Sequence, residues 1–440
     1  MDSRAIAQSD SPRLPRVLPA FHRCLGVALT LVSVAAQAQV AGLTLEDALQ
    51  RSSLRSASNQ AASASVQAMV ETVAKAGQLP DPTLKLGIDN LPVTGPDKYS
   101  IGRDFMTMRR VGLEQQWLSG DKRIARTERA RQAVELEKAS YLASVAKVRE
   151  ETAKAWIGMY FAQKSVGLQR QIAKEMTEAL RSSEASHRGA KANASDVLLS
   201  KIAVTEANDA IDRAGQDVSI SRIALARWIA EPVRSVAESM PALRSHVAEL
   251  SVEDLERYHP MVLTARRSVA LADADTDVAV KERRPDWTFE ASFAQRGPQY
   301  SNMVSVGVSI PLTTSPSQKQ DRDIAEKSAL ATKARLQYQD ALRELQSEIQ
   351  GLASRIESLT ARSALLGNQL LPVAQQQIDL ATAAYRSGSG SLGAVFSARK
   401  MLVEKQLQIL ELEKDAALAW ASLEYHVVPH DMVAIAGGAK

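Results

Sequence analysis

Few residues in this chain have the types and spacing that chemistry needs. Near the C-terminus His426, His430 and Asp431 could offer imidazole and carboxylate ligands to a borderline metal ion. Met106 and Met108 stand two apart and share one face if their segment is a strand, which could touch a soft metal; ordinary packing accounts for them more simply. The six histidines are otherwise scattered. There is no Gly-rich phosphate loop, no nucleophile elbow and no paired His/Cys spacing. The sequence therefore predicts no catalytic residue, no cofactor and no metal centre, and so not an enzyme. What remains are charged residues at alternating positions: Lys85, Asp89, Glu114 and Glu290. They matter only through the elements that carry them.

Composition narrows those elements. Only 4% of the 440 residues are aromatic, and the net charge is a small +4. Ala, Ser, Gln, Glu, Leu, Arg and Lys dominate, as in long helices with narrow apolar seams. No basic stripe with interleaved aromatics is present, so no nucleic-acid partner is expected.

The N-terminus has the pattern of an export signal. Arg4, Arg13, Arg16 and Arg23 precede an apolar run from Leu25 to Ala36, which is too short to span a bilayer. Ala36-Gln37-Ala38 is a small-x-small cleavage site, which predicts a signal over 1–38 and a mature start at Gln39. The single cysteine, Cys24, lies inside that signal after Phe21-His22-Arg23, unlike a lipidation site. The mature chain is thus expected to be exported, unlipidated and free of disulfides. No later apolar run reaches eighteen residues, so a membrane crossing would need strands closed into a barrel.

Four segments alternate as such strands should. Leu84, Leu86 and Ile88 oppose Thr83, Lys85, Gly87 and Asp89. From about Thr107 to Trp117, Val111, Leu113 and Trp117 oppose Arg110, Gly112, Glu114 and Gln116. Trp287, Phe289, Ala291 and Phe293 oppose Thr288, Glu290 and Ser292; Val304, Val306, Val308 and Ile310 oppose Ser305, Gly307 and Ser309. A period of two puts one set toward an apolar surrounding and the other inward. The inward set makes Lys85, Asp89, Glu114 and Glu290 pore-lining candidates. Trp117, Trp287, Phe289, Phe293 and Tyr300 suit an interfacial aromatic belt.

Helical periods fill the rest. A seam in four-three steps runs through Tyr338, Leu342, Leu345, Ile349, Leu352, Ile356, Leu359, Leu366, Leu370, Val373 and Leu380. It predicts a helix from Gln318 to Ala384, roughly 100 Å long at ~1.5 Å per residue. Asp121–His187 is its equal. Leu45–Gln78, Asp196–Trp228, Ser251–Arg283 and Val395–Tyr425 are about half as long by the same rise. Ser195 or Asp196 is expected to cap the second of these. The order helix, two strands, long helix, break, shorter helix occurs twice. Its expected divisions are the signal 1–38, a first repeat 39–230, an equatorial linker 231–250, a second repeat 251–426 and a tail 427–440.

Four strands cannot close a barrel, and open edges are not tolerated in lipid. Three copies would supply twelve strands. The predicted fold class is therefore mainly α with a small β part: long coiled-coil helical hairpins plus four transmembrane strands per chain, a trimeric α-barrel topped by a 12-stranded β-barrel. A structural periplasmic coiled-coil protein with two β-hairpins is the alternative of another class.

Several local motifs also resemble a known family: Ala76-Gly77-Gln78-Leu79-Pro80-Asp81-Pro82-Thr83-Leu84, Asn90-Leu91-Pro92-Val93, Met106-Thr107-Met108, Val111-Gly112-Leu113-Glu114-Gln115 and Lys122-Arg123. With the architecture, they resemble the TolC-like outer-membrane factors of Gram-negative tripartite efflux systems, and most of all their heavy-metal, cobalt–zinc–cadmium branch. The resemblance implies a homotrimeric exit duct set in outer-membrane lipid and extending into the periplasm. It also implies a periplasmic adaptor (membrane fusion) protein and an inner-membrane resistance-nodulation-division pump as partners, with heavy-metal cations as cargo. Drug efflux or type I secretion through the same duct is the alternative. The two helix breaks then correspond to the periplasmic tip that closes the channel and meets the adaptor. Their residues are His187, Arg188, Gly189, Ala190 and Asp196 in the first, and Tyr385, Arg386, Gly388, Gly390 and Val395 in the second. Ala394 and Ser397 occupy places where some relatives carry acidic gate residues, which leaves Asp196 as the acidic candidate there.

Overall fold

A computed structural model describes residues 42–189 and 193–428. The expected signal 1–38 with Cys24, the tip residue Ala190, and His430 and Asp431 lie outside the described residues.

The first repeat starts with α1, Leu45–Arg55, capped by Thr44, whose side chain accepts from the Asp47 N–H at 3.1 Å. A single helix to Gln78 is expected, but Ser56 adopts extended backbone and caps a new helix, α2, Ala57–Ala76. A serine hydroxyl can satisfy the free N–H groups of a fresh helix start, so it ends one helix and opens the next. The helix expected at Ser251–Arg283 divides likewise into α5, Val252–Tyr258, and α6, Pro260–Glu282. There the cause is Pro260, which disfavours helical backbone at His259 and cannot donate to the ladder.

Between α2 and α6 run β1 (Thr83–Asp89), β2 (Met108–Trp117), α3 (Gly120–Arg188) and α4 (Ala194–Ile229). α3 is unbroken over 69 residues, about 100 Å by the helical rise. After α6 come β3 (Trp287–Gln295), β4 (Met303–Ser309), α7 (Gln320–Leu365), α8 (Leu371–Arg386) and α9 (Leu392–Tyr425). The second long rod is thus interrupted. A π-turn over Leu366–Leu370 joins α7 to α8. Its extra residue moves the covered seam: Leu345, Ile349 and Leu359 are buried as the heptad predicts, but beyond the turn the buried residues are Ala374 and Ile378. Val373 and Leu380, expected on that seam, are exposed in the single chain.

The four strands form one antiparallel sheet in the order β1-β2-β3-β4. β2 and β3 are neighbours although α3 to α6 lie between them in sequence. β1 and β4 are the edges. Met106 lies before β2 rather than on it, so it does not share a strand face with Met108 as the spacing suggested. Asp104 turns the backbone there, its carboxylate accepting from the N–H groups of Met106 (2.8 Å) and Thr107 (3.1 Å).

α3 is flanked along its first half by α2 and α6 and along its second by α4, all antiparallel to it. Ser144 of α3 bonds Asn59 of α2 at 3.0 Å, and Arg126, Arg129 and Glu135 of α3 pair with Glu282, Asp275 and Arg267 of α6. Further along, Ile172 and Met176 pack with Ala207. The main apolar cluster sits mid-rod, around Trp156, Ile157, Met159, Leu225, Ile229, Ala417 and Trp420. The irregular segment 231–250 closes over it. Leu43 and Val236 form a parallel bridge, Trp156 donates its indole N–H to the Leu43 carbonyl at 2.7 Å, and Trp420 donates to the Arg244 carbonyl at 3.0 Å. These indole bonds satisfy the polar edge of two large buried rings. No described helix is long and apolar enough to cross a membrane.

Candidate channel wall and tip

The pleat sorts the sheet into two unlike faces. One carries Leu84, Leu86, Ile88, Val111, Leu113, Phe289, Phe293, Val304, Val306 and Val308, all exposed in the single chain. An apolar face of this extent needs lipid or protein against it. Trp117 pairs in register with Trp287 at the end where the helices attach, and Trp287 packs on Phe289 with ring centroids 6.3 Å apart. Tyr300 sits at the opposite end, in the β3–β4 loop under the Arg296 guanidinium. Two aromatic levels thus bracket the apolar face, as membrane interfaces favour.

The other face holds all four expected pore-lining residues, joined in one net. Lys85 bonds Glu114 and also Glu290, the latter at 3.2 Å. Arg110 lies 3.0 Å from Asp89 and 3.8 Å from Glu290. Arg110 belongs to the net equally, and strand alternation alone places it there. Below the sheet, at the start of α3, Lys122 is 3% exposed and pairs with Asp286 at 2.5 Å. A buried ammonium requires such a partner, because burying it alone costs several kcal/mol, of order 3–5 when a partner is removed.

At the far end of the rods the structure brings the two breaks together. The first ends α3 at Arg188, with the Gly189 N–H donating to the Ala185 carbonyl at 3.1 Å. Asn193, not Ser195 or Asp196, is the N-cap of α4; Asp196 is its third residue, and its carboxylate accepts from the Asn193 N–H at 3.4 Å. A capping carboxylate at this position also favours the positive end of the helix dipole. In the second break Gly388 adopts φ +77°, and a Cβ on Gly390 would stand 2.9 Å from that of Ala384. Both glycines are thus required by the turn itself. Ser391 caps α9 by accepting from the Ala394 N–H at 3.2 Å. The Tyr385 hydroxyl has its pKa raised, first by burial and then by the nearby Asp196 carboxylate, which brings a residue of one break into the field of the other. Arg386 ends α8, and His187 lies in the last turn of α3. Val395 is 5% exposed, its side chain packing inward in the single chain.

His426 is surrounded by residues distant from it in sequence. It packs edge-on against His259 and faces Glu150 and Glu348, contacts from three other helices that sequence spacing does not reveal. Among the described residues no group of three or more His, Cys, Asp or Glu side chains is arranged to hold a metal ion.

Comparison with known proteins agrees with this geometry. Residues 252–425 match the family model described as outer membrane efflux protein. The cobalt-zinc-cadmium resistance protein CzcC of Cupriavidus metallidurans is 26% identical over 416 residues, covering 92% of this chain and 91% of that protein. A membrane protein from Pseudomonas aeruginosa superposes with a TM-score of 0.74 at 13% identity, covering 93% of this chain and 96% of that one. CusC, solved in a study of transmembrane channel formation, superposes with a TM-score of 0.73 at 14% identity, covering 86% and 90%. Residues 252–425 thus carry the sequence pattern of the outer membrane efflux proteins, and the fold of the chain is that of TolC-like outer-membrane channels.

Proposed function

We infer that three copies of this chain assemble into the outer-membrane exit duct of a heavy-metal efflux system. The observation that carries this reading is the sheet. It has two edge strands, β1 and β4, whose outer edges are unpaired among the described residues, one apolar face and one charged face, and it stands on helices of about 100 Å. Pairing β4 of one copy with β1 of the next removes every edge, and twelve strands are enough to enclose water. The apolar face then meets lipid and the Lys85, Asp89, Arg110, Glu114 and Glu290 net lines the lumen. Each chain contributes two repeats, 39–230 and 251–426, joined by the linker 231–250, after removal of the signal 1–38. The breaks at His187–Asp196 and Tyr385–Val395 form the periplasmic tip, which docks a periplasmic adaptor and, through it, an inner-membrane pump. The metal cargo is supported by the likeness to CzcC across nearly the whole length. The duct carries out no chemistry.

The test is a deletion strain complemented with the chain. Lost tolerance to zinc, cobalt or cadmium, restored on complementation, is expected. Unchanged metal tolerance with altered drug tolerance would instead assign the duct to drug efflux. Heat-modifiable trimers in outer-membrane fractions, conducting in planar bilayers, are expected, and a soluble periplasmic monomer would overturn the duct itself.

A further inference from the structure

Glu114 of β2 and Glu290 of β3 stand directly opposite each other in the strand register. Like charges in directly opposed positions repel, and the pair persists because a cation reaches both. That cation is Lys85, two strands away from Glu290. Its route is open because its own cross-strand partner is Gly112. A Cβ there would already stand 3.0 Å from the Ser292 Cβ, so any larger side chain would occupy the space the lysine stem crosses. The same device repeats nearby: Arg110, which pairs with Asp89, lies opposite Gly87. Both cations of the net are laid across a glycine.

The other strand positions on that face are uncharged, among them Thr83, Gln116, Thr288, Ser292, Ser305 and Ser309. The net therefore decides the charge of the whole surface. It holds three carboxylates and two cations; Arg110 approaches Glu290 from the side, and Lys85 is the cation that bridges both opposed glutamates.

We propose that Lys85 is the ion-selectivity residue of the barrel, holding a cation-favouring wall near neutrality by bridging Glu114 and Glu290. The proposal rests on the reading that three chains close this sheet around water. In that trimer the five-residue net leaves the wall with one negative charge per chain. Removing the lysine charge doubles that, and leaves Glu114 without its lysine partner and Glu290 with only Arg110, 3.8 Å away, in each chain. Rings of carboxylates attract cations and repel anions, and the field reaches across a wide lumen when the Debye length is long, about 30 Å at 0.01 M salt.

Purified trimers in planar bilayers under a potassium chloride gradient near 0.01 M test this. The wild-type channel is expected to prefer potassium modestly. Lys85→Gln should raise the potassium-to-chloride permeability ratio by about twofold or more, and Glu290→Gln should lower it. Conducting Lys85→Gln trimers with an unchanged reversal potential would overturn the proposal and leave the lysine a strut that only holds strand register. If Lys85→Gln fails to assemble, Glu290→Gln, which keeps the Lys85–Glu114 pair, decides: an unchanged reversal potential overturns the proposal. Wild-type protein that forms no channel at all would instead overturn the duct reading beneath it.

Discussion

His259 and His426 meet edge to face, with ring centroids 5.6 Å apart and planes at 88°. His259 is 5% exposed, and neither of its ring nitrogens has a hydrogen-bond partner among the described residues. His426 turns its Nε2 toward Glu150 at 3.8 Å and Glu348 at 3.9 Å. The pair joins the start of α6 to the end of α9, with α3 and α7 supplying the carboxylates. Burial, and then the second imidazole, push the His259 pKa down to about 4.

That depression makes stability depend on acid in a defined direction. Above pH 6.5 His259 is neutral in both folded and unfolded chains and has no effect. Below it the unfolded chain takes up a proton that the folded chain refuses. Stability then falls by about 1.4 kcal/mol per pH unit until the pH nears the folded value of about 4. Thermal unfolding followed between pH 7 and pH 5 should show this loss in the wild type and a smaller one in His259→Leu. Carboxylates elsewhere titrate equally in both proteins, so the difference isolates the imidazole. Equal losses would refute it.

The π-turn makes a second expectation. Its extra residue sets Ala374 and Ile378 in the buried seam in place of Val373 and Leu380. Deleting Gly367 should convert the turn to α-helix and rotate α8 by roughly 100° about its axis, one residue's turn. The seam against α9 would then be lost, and a clear drop in thermal midpoint is expected. Gly367→Ala, whose Cβ would meet nothing within 4 Å, should hold or raise the midpoint, by up to about 1 kcal/mol. A deletion variant as stable as the wild type would show that the register beyond Leu370 is not specified by packing.

What could be read from the sequence, and what could not, follows from how far each signal reaches. The faces of the four strands were readable because a period of two is local: Lys85, Asp89, Glu114 and Glu290 fall on one face without reference to anything else. That Glu114 opposes Glu290 was not, because the β2–β3 register is set across more than 170 residues. The break before Pro260 was written in the sequence as a pre-proline residue, and a helical period on both sides concealed it. Ser56 carried less signal, since serine is tolerated within a helix and gains a capping role only when the backbone turns. The π-turn leaves no mark in a heptad that continues through it. At the tip, Gly388 and Gly390 announced a turn, but Asn193 as a cap and Tyr385 beside Asp196 depend on how two helix ends meet.

The outer loops give a prediction that separates two glycines in contact. A Cβ on Gly297 would stand 2.1 Å from the Gly102 carbonyl oxygen, whereas one on Gly102 would meet nothing within 4 Å. Arg296 reinforces this junction by donating from its Nε to the Phe105 carbonyl at 2.9 Å. Gly297→Ala should therefore loosen the 90–107 loop, at a cost of about 1–3 kcal/mol for the forced displacement, while Gly102→Ala should not. Limited proteolysis of the assembled protein reads the difference: faster cleavage within 90–107 is expected only for Gly297→Ala. Equal cleavage of both variants would mean the loops do not depend on this contact.

The tip glycines allow the docking reading to be separated from simple turn geometry. Gly388 has φ +77°, so alanine there strains the backbone by about 1–2 kcal/mol. Gly189 has φ −84°, and a Cβ on it would make only ordinary contacts at 3.6 Å, so Gly189→Ala should leave folding unchanged within about 0.5 kcal/mol. If the second break merely turns the chain, Gly388→Ala lowers the thermal midpoint and nothing else. If it is where the duct opens and meets its adaptor, Gly388→Ala should also reduce metal tolerance in the complemented strain at equal outer-membrane abundance, and Gly189→Ala should not. Arg386→Ala, next to the turn and outside its hydrogen bonds, sharpens the comparison because it leaves the backbone alone. Lost tolerance with an unchanged midpoint in that variant is the outcome that assigns the break to partner contact. Full tolerance in both Gly388→Ala and Arg386→Ala would remove the second break from the docking surface.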